Sequence, residues 1–389
     1  MHEPSIIFSL FLIFVGAAIA ATVALYVRQA IIIGYILLGV IVGPAGLAWV
    51  SDTQLISDIS HIGIIFLLFL LGLNLSPGKL VTLFRQTALV TAVSSGVFAL
   101  VGWCIAIIFG FNTQDAVFVG LACMFSSTII GLKLLPTTVL HHKHTGEVMI
   151  SVLLLQDLIA IVVILLIQGV DQQSSYATAI LWLIIKLPLL IGVGYLVNRF
   201  VLMRLLQQFD RIQEYLFLLV LAWCLGMAEF AQVLGFSYEV GAFVAGVIIA
   251  TSPVALYIAE SLKPLRDFFL VLFFFALGAS VNVDLFAVIW LPALVLGLTM
   301  VLLKPLVFRI VLGQVAENPK LAWETGWRLG QMSEFTLLLI VLALNVGSLS
   351  EQTAAMLQLA TIITFICSSY AVVLRFPTPV AVSERLRRD

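Results

Sequence analysis

The sequence predicts an all-α polytopic membrane protein of thirteen transmembrane helices, and three observations carry that expectation. First, 62% of the 389 residues are hydrophobic and 10% are charged, against about 25% charged in an ordinary soluble domain. Second, apolar runs recur from Ser5 to Leu374, many near the roughly 20 residues that cover a hydrocarbon core of about 30 Å. Third, the basic residues of the loops fall in alternate loops.

The N-terminal stretch "MHEPSIIFSLFLIFVGAAIAATVALYV" carries Glu3 where a secretory leader carries basic residues. Residues 5–26 therefore read as a first span and not as a cleaved signal. Further spans follow at 30–49, 56–74, 87–110, 115–137, 146–168 and 178–199. The remaining six fall at 213–234, 237–251, 265–283, 286–308, 322–344 and 352–374; the ninth span, 237–251, is short and closed by Pro253.

Loop charges test this division. Alternate loops carry Arg28; Lys79 and Arg85; Lys143; Arg199, Arg204 and Arg211; Lys263 and Arg266; Arg309 and Lys320; and then the Arg375–Arg388 tail. Intervening loops such as "SDTQLISD" and "QGVDQQSSYA" hold neither Lys nor Arg. The positive-inside rule then puts the N-terminus outside and the C-terminus in the cytoplasm. One span more or fewer would scramble the alternation. With thirteen spans, spans 1–6 start outside and spans 8–13 start inside, with span 7 as connector. Two six-helix halves of opposite orientation are the parity of an inverted-repeat transporter; the halves share no visible sequence similarity, so the repeat rests on parity alone.

A net charge of −1 leaves no electrostatic footprint for nucleic acid. Cys104, Cys123, Cys224 and Cys367 all lie in apolar segments without a CxxC spacing. They read as small buried hydrophobes, not as disulfide or metal ligands. His141, His142 and His144 form a solvated cytoplasmic loop cluster, with pH sensing as the alternative.

Polar residues inside the spans carry the functional signal. Asp157 lies about eleven residues into span 6, near the midplane, where a carboxylate costs about 2.5–3.5 kcal/mol on insertion scales. Such a group marks an ion or proton pathway by default; the alternative is a structural ion pair with Lys304, Lys133 or Lys186. Gln156 is neutral, offers a carbonyl oxygen, and lies about 100° around the helix from Asp157. Ser126, Ser127 and Thr128 on span 5, and Gly330, Gln331, Ser333 and Glu334 on span 12, sit at matching depth. Each stretch alone fits hydroxyls bonding back to their own helix. As a pair at one depth, they predict two helices that unwind around a shared cavity. Lys304, well inside span 11, either snorkels to the cytoplasmic edge or pairs with Glu334 or Asp157. Glu229 and Glu239 read as residues of the outer interface.

Six ordered motifs then carry a resemblance: "GIIFLLFLLGLNLSPGKL", "FSSTIIGLKLL", "LLLQDLIAI", "SYEVGAFVAGVIIATSP", "LKPLRDFFLVLFFFALGASVNVDL" and "GQMSEFTLLLI". Together, over residues 5–375, they resemble the Kef-type potassium/proton antiporters, in the cation:proton antiporter-2 branch of the sodium/proton-antiporter superfamily. Gln-Asp on span 6 is the most diagnostic piece, since electrogenic sodium/proton relatives typically carry Asp-Asp there and other electroneutral ones Asn-Asp. The resemblance implies a homodimer in the bilayer with a sodium/proton-antiporter-like fold, its two crossing broken helices matching spans 5 and 12. Residues 1–375 would form the transport domain. Its core spans would be about 87–168 and 286–374, and its scaffold and dimerisation spans about 5–74 and 178–283.

By the same resemblance Asp157 is the ion and proton carrier and Gln156 its partner, both ligating potassium. Ser126, Ser127 and Thr128 line the crossover. Lys304 neutralises helix ends in the core, and Glu334 matches the Glu of a Gly-Glu-Phe motif in which Ser333 replaces the glycine. No cofactor is implied; the cargo is K+ (or Na+) and H+. Many Kef proteins carry a cytoplasmic nucleotide-binding regulatory domain after the membrane part. Here "SERLRRD" ends the sequence without a GxGxxG, so residues 376–389 read as a cytoplasmic tail. That tail either begins a linker to a removed regulatory domain or belongs to a homologue regulated otherwise.

The expected function is electroneutral, one-for-one K+ efflux against H+ entry across a prokaryotic inner membrane, by elevator-type alternating access. A sodium/proton antiporter is the nearest alternative, and a cation channel without proton coupling the next. An enzyme is not expected: an intramembrane aspartyl hydrolase needs a second catalytic carboxylate, and only Glu334 lies at comparable depth.

Overall fold

The computed structural model describes residues 6–27, 29–50, 53–74, 77–133, 144–169, 176–209, 212–250, 252, 255–281, 283–315 and 318–378. Their regular structure is helical. The helices are α1 (Ile6–Tyr26), α2 (Ile31–Val42), α3 (Thr53–Asn74), α4 (Pro77–Ile108), α5 (Thr113–Cys123), α6 (Thr128–Lys133), α7 (His144–Gly169) and α8 (Tyr176–Val197). A π-helical turn, Asn198–Leu202, carries α8 directly into α9 (Met203–Gln208). Then follow α10 (Gln213–Val233), α11 (Tyr238–Ile249), α12 (Ala255–Ser261), α13 (Lys263–Ala279), α14 (Phe286–Gln314), α15 (Pro319–Arg328), α16 (Glu334–Asn345) and α17 (Glu351–Arg375). Among the described residues six helical stretches are long and apolar enough to cross a membrane: Ile6–Tyr26, Thr87–Ile108, Ile185–Gln208, Gln213–Val233, Phe286–Gln314 and Glu351–Arg375.

Three boundaries depart from the expected spans. The second span, expected over 30–49, is helical only to Val42. Pro44 has no N–H and cannot continue the ladder; the chain turns instead, with Leu47 N–H on Ile41 O at 2.7 Å and Ala48 at φ 51°. The fourth helix starts at Pro77, ten residues before the expected 87, because proline's fixed φ suits the first helical position. Spans 5 and 12 are each two helices, α5 with α6 and α15 with α16, interrupted at residues 124–127 and 329–333. Pro253, Arg28, Lys143, His141 and His142, and the tail from residue 379, lie outside the described residues, as do the side chains of His144 and Lys133.

Polarity is inverted relative to a soluble protein. Ile7 is 79% exposed and Ile108 78%, whereas the side chains of Asp157, Lys304 and Arg328 are buried. Apolar side chains facing outward over many helices suit a lipid solvent, and intramembrane charge belongs inside the bundle.

Contacts divide the chain into two compact units: residues 1–51, 83–160 and 277–389, and residues 52–82 and 161–276. In the second unit α11 packs on α3 and α10. Phe66 stacks on Phe269 with centroids 5.4 Å apart, and Trp223 Nε1 donates to Ala245 O at 3.1 Å. Gly72 and Gly246 let α3 and α11 meet backbone to backbone; a Cβ on Gly246 would stand against Phe69 O. Small residues at helix contacts are how membrane helices gain dispersion energy without a hydrophobic drive.

In the first unit α14 packs on α15 and α17, α1 on α2, and α5 on α16 and α17. One buried cluster ties the N-terminal ends of α5 and α17. Asp115 accepts from Ser350 Oγ at 2.6 Å, Ser350 N–H at 3.1 Å and Thr353 Oγ1 at 2.9 Å. Asn112 caps α5 by accepting from Asp115 N–H at 2.7 Å.

The glycine contact yields a test. Gly246→Val forces α3 and α11 apart and should destabilise the protein by about 1–3 kcal/mol, the usual cost of overpacking. Gly226→Ala, which adds its Cβ to open space, should leave the thermal unfolding midpoint unchanged or slightly raised. Equal midpoints for the two variants would contradict this packing.

Candidate functional site

Two interrupted helices face each other in the first unit, and each interruption is built the same way. α5 ends at Cys123, an extended stretch follows, and Ser127 starts α6 by accepting Ile130 N–H on Oγ at 3.1 Å. α15 ends at Arg328, and Ser333 starts α16 by accepting Phe335 N–H on Oγ at 3.1 Å. Serine is a favoured N-cap because its hydroxyl takes an otherwise unpaired backbone donor. The serine at 333, where the family motif has glycine, therefore fits a local role as a cap.

Five of the carbonyls at the two interruptions have side-chain donors. Ala122 O accepts from Thr336 Oγ1 at 2.8 Å and Met124 O from Gln156 Nε2 at 3.1 Å. Leu329 O accepts from Ser126 Oγ at 2.9 Å. Lys304, fully buried on α14, donates to Phe125 O at 2.6 Å, Gln331 O at 2.9 Å and Ser126 Oγ at 3.2 Å. Its ammonium also lies 5.2 Å from the Phe98 ring centroid. Each helix C-terminus carries roughly −0.5 charge, so one ammonium between two such ends is held by charge and by hydrogen bonds together.

Of the two readings of Lys304, snorkelling and carboxylate pairing, the geometry fits neither. Its partners are two backbone oxygens and the Ser126 hydroxyl.

Gln156 uses both ends of its amide on the first interruption: Oε1 accepts Ser126 N–H at 3.0 Å while Nε2 donates to Met124 O. The neighbouring Asp157 is fully buried. Thr128 Oγ1 donates to it, 3.1 Å from Oδ2 and 3.4 Å from Oδ1. That hydroxyl is its one hydrogen-bond donor among the described residues, for a group with about four acceptor positions. Glu334, 5% exposed in the first turn of α16, lies within electrostatic reach of Asp157.

Ser126, Ser127, Thr128, Gln156, Asp157, Lys304 and Glu334 thus come together in one region. Glu229 and Glu239 stand elsewhere, in the second unit. Glu229 is exposed, but Glu239 is buried, contrary to the interfacial placement expected for it.

Gln331, one of the polar residues expected at this depth, and several hydroxyls outside the expected set complete the network. Gln331 Nε2 donates to Ser127 O at 3.3 Å, and Gln331 Oε1 accepts from Ser368 Oγ at 2.8 Å. Thr364 Oγ1 accepts Met332 N–H at 3.0 Å. Thr336, Thr364 and Ser368 lie in otherwise apolar helices, and nothing in their local sequence separates them from hydroxyls that bond back to their own helix.

A family described as "Sodium/hydrogen exchanger, transmembrane" matches residues 10–375. The chain is 29% identical over 355 residues to K(+) efflux antiporter 5 of Arabidopsis thaliana, covering 87% of this chain and 61% of that protein. It is 29% identical over 332 residues to K(+) efflux antiporter 4 of the same plant, covering 82% of this chain and 55% of that protein. The chain therefore spans about three-fifths of the length of the curated relatives it matches. Among solved structures it resembles the sodium proton antiporter MjNhaP1 of Methanocaldococcus jannaschii at pH 8. The TM-score is 0.71 at 17% identity, covering 94% of this chain and 95% of that one. A second structure of that antiporter gives a TM-score of 0.64 at 18% identity. The family resemblance drawn from the six motifs is borne out, and the fold is that of a sodium/proton antiporter.

Lys304→Met should lower the thermal unfolding midpoint clearly. It removes the donor from Phe125 O and Gln331 O, at about 1–3 kcal/mol for each buried group left unpaired. Lys320→Met, on an exposed residue, should leave the midpoint where it is. A Lys304→Met protein as stable as the parent would remove the ammonium from the centre of this account.

Proposed function

Because this chain belongs to the transmembrane sodium/hydrogen exchanger family, we propose that it is a cation/proton antiporter, exchanging K+ for H+ one for one at Asp157. The observation that carries this reading is the environment of that carboxyl: fully buried and served by one hydroxyl donor, while the buried ammonium of Lys304 is committed to backbone oxygens. A buried carboxylate without a compensating charge neutralises itself or takes a counter-ion. Asp157 can do so with a proton or with a monovalent cation, and not with both.

The exchange follows from that competition. With the proton bound, the carboxyl is neutral. Proton release leaves a carboxylate, and a cation entering the site restores neutrality. Asp157 and the Thr128 hydroxyl supply oxygen ligands, and Gln156 Oε1 retains a second lone pair for the cation. Ser126, Ser127 and Gln331 act by fixing the two interruptions, so that the site keeps its shape through the cycle. Both loaded forms of Asp157 are neutral, so a one-for-one exchange at this carboxyl moves no net charge. A second carboxylate at the Gln156 position would change that balance. Potassium is supported by the names of the curated relatives and by Gln-Asp on α7. The direction is K+ efflux against H+ entry, by alternating access of a homodimer whose mobile core holds the spans at about 87–168 and 286–374, in a prokaryotic inner membrane with the C-terminus cytoplasmic.

In proteoliposomes, Asp157→Asn should abolish cation-driven proton flux while the protein still inserts and unfolds at a similar temperature. Persistent exchange in that variant would sink the assignment. Lowering the pH should slow exchange in the parent protein, since a carboxyl that keeps its proton takes up no cation. Solid-supported membrane recordings should show no steady current during potassium-driven proton flux. A sustained current without pH change would point to a channel, and flux driven by Na+ but not K+ to the sodium/proton alternative.

A further inference from the structure

Helices α1 and α2 leave an apolar groove of about 620 Å3 between them, within the roughly 300–1,000 Å3 of sites that hold a small organic ligand. Leu12, Ile19, Val23, Leu37 and Ile41 line it, with Tyr370 of α17. At the end where α1 passes into α2 the lining includes Gln29, which is 5% exposed. Its backbone is fixed by donation to Ala24 O at 2.7 Å. Its side chain is not: neither Nε2 nor Oε1 has a hydrogen-bond partner among the described residues. An unpaired buried amide is costly, and a hydrocarbon surrounding offers no water to relieve it.

The same end of the groove carries a helix N-terminus. Ala30, the N-cap of the twelve-residue helix α2, provides no capping side chain, so the positive end of that helix stays available to an anion. An apolar channel, an amide with a free donor and a free acceptor, and a positive terminus together describe the complement of an anionic amphiphile.

From this juxtaposition we propose that the groove binds one glycerophospholipid of the adjoining leaflet, with an anionic, hydroxyl-bearing headgroup. One acyl chain lies along Leu12, Ile19 and Leu37. A glycerol ester carbonyl accepts from Gln29 Nε2, a headgroup hydroxyl donates to Gln29 Oε1, and the phosphate faces the N-terminus of α2. A second copy of this chain laid over the groove would cover the apolar surface yet would have no particular use for the amide. This site is separate from Asp157, and the proposal holds or fails independently of ion exchange.

Native mass spectrometry on the delipidated chain, titrated with phosphatidylglycerol, tests the assignment. The parent protein should retain one lipid per chain more tightly than any other, and phosphatidylcholine, which lacks the headgroup hydroxyls, should bind there more weakly. Gln29→Leu should weaken that site at least fivefold while raising the unfolding temperature of the lipid-free protein, because the unpaired amide is gone. Val23→Trp, which fills an exposed part of the groove, should abolish the site with Gln29 intact. Unchanged retention in both variants, or equal binding of the two lipids, overturns the proposal. It is equally overturned if Val23→Trp dissociates a dimer but leaves lipid retention unaltered, since a second copy would then be the occupant.

Discussion

Lys304 holds its ammonium between Phe125 O and Gln331 O, on two chain segments that leave their helices at the same place. A helix that stops inside a bilayer exposes carbonyls that water cannot reach, and each one left unpaired costs free energy. A cation lodged between two such ends answers both needs. It supplies donors to the carbonyls and positive charge to two negative helix termini. The interruptions in turn expose the backbone and hydroxyl groups around which the site is built.

The rest of the network distributes labour around that contact. Gln156 on α7 pins the interruption after α5, and Gln331 pins it from the other interruption. Ser127 and Ser333 begin the next helices. With those groups occupied, Asp157 is left as a buried carboxyl whose one hydrogen-bond donor among the described residues is the Thr128 hydroxyl. A lysine paired to Asp157 would instead compensate the carboxylate internally.

Much of this was legible in the sequence because a membrane amplifies polar signals. A carboxylate in "LLLQDLIAI", hydroxyls in "FSSTIIG" and polar residues in "GQMSEF" are costly at that depth, and their matching positions predicted a shared site with two unwound helices. Which groups Lys304 holds could not be read from its own segment, where only the family resemblance pointed to helix ends. Its contacts are backbone carbonyls about 27 and 179 residues away in the chain, and no residue type marks a carbonyl as available. Thr336 and Ser368 were hidden for a related reason, since a hydroxyl in an apolar helix looks the same whether it bonds its own turn or another helix. The short second helix could have been read from "VGPAG", whose proline and glycines outweigh the apolar flanks.

By itself, the sequence determined that the chain is a helical membrane protein, and it pointed to where two helices break and to a carboxyl beside those breaks. Those features depend on composition, period and depth, which are local quantities. Only the tertiary structure decided that the ammonium serves two helix ends and not a carboxylate, and that Gln156 holds backbone with both ends of its amide. It also left Gln29 buried without a partner. Each of these depends on which distant segments meet, and that is fixed by packing between helices and not by any one helix.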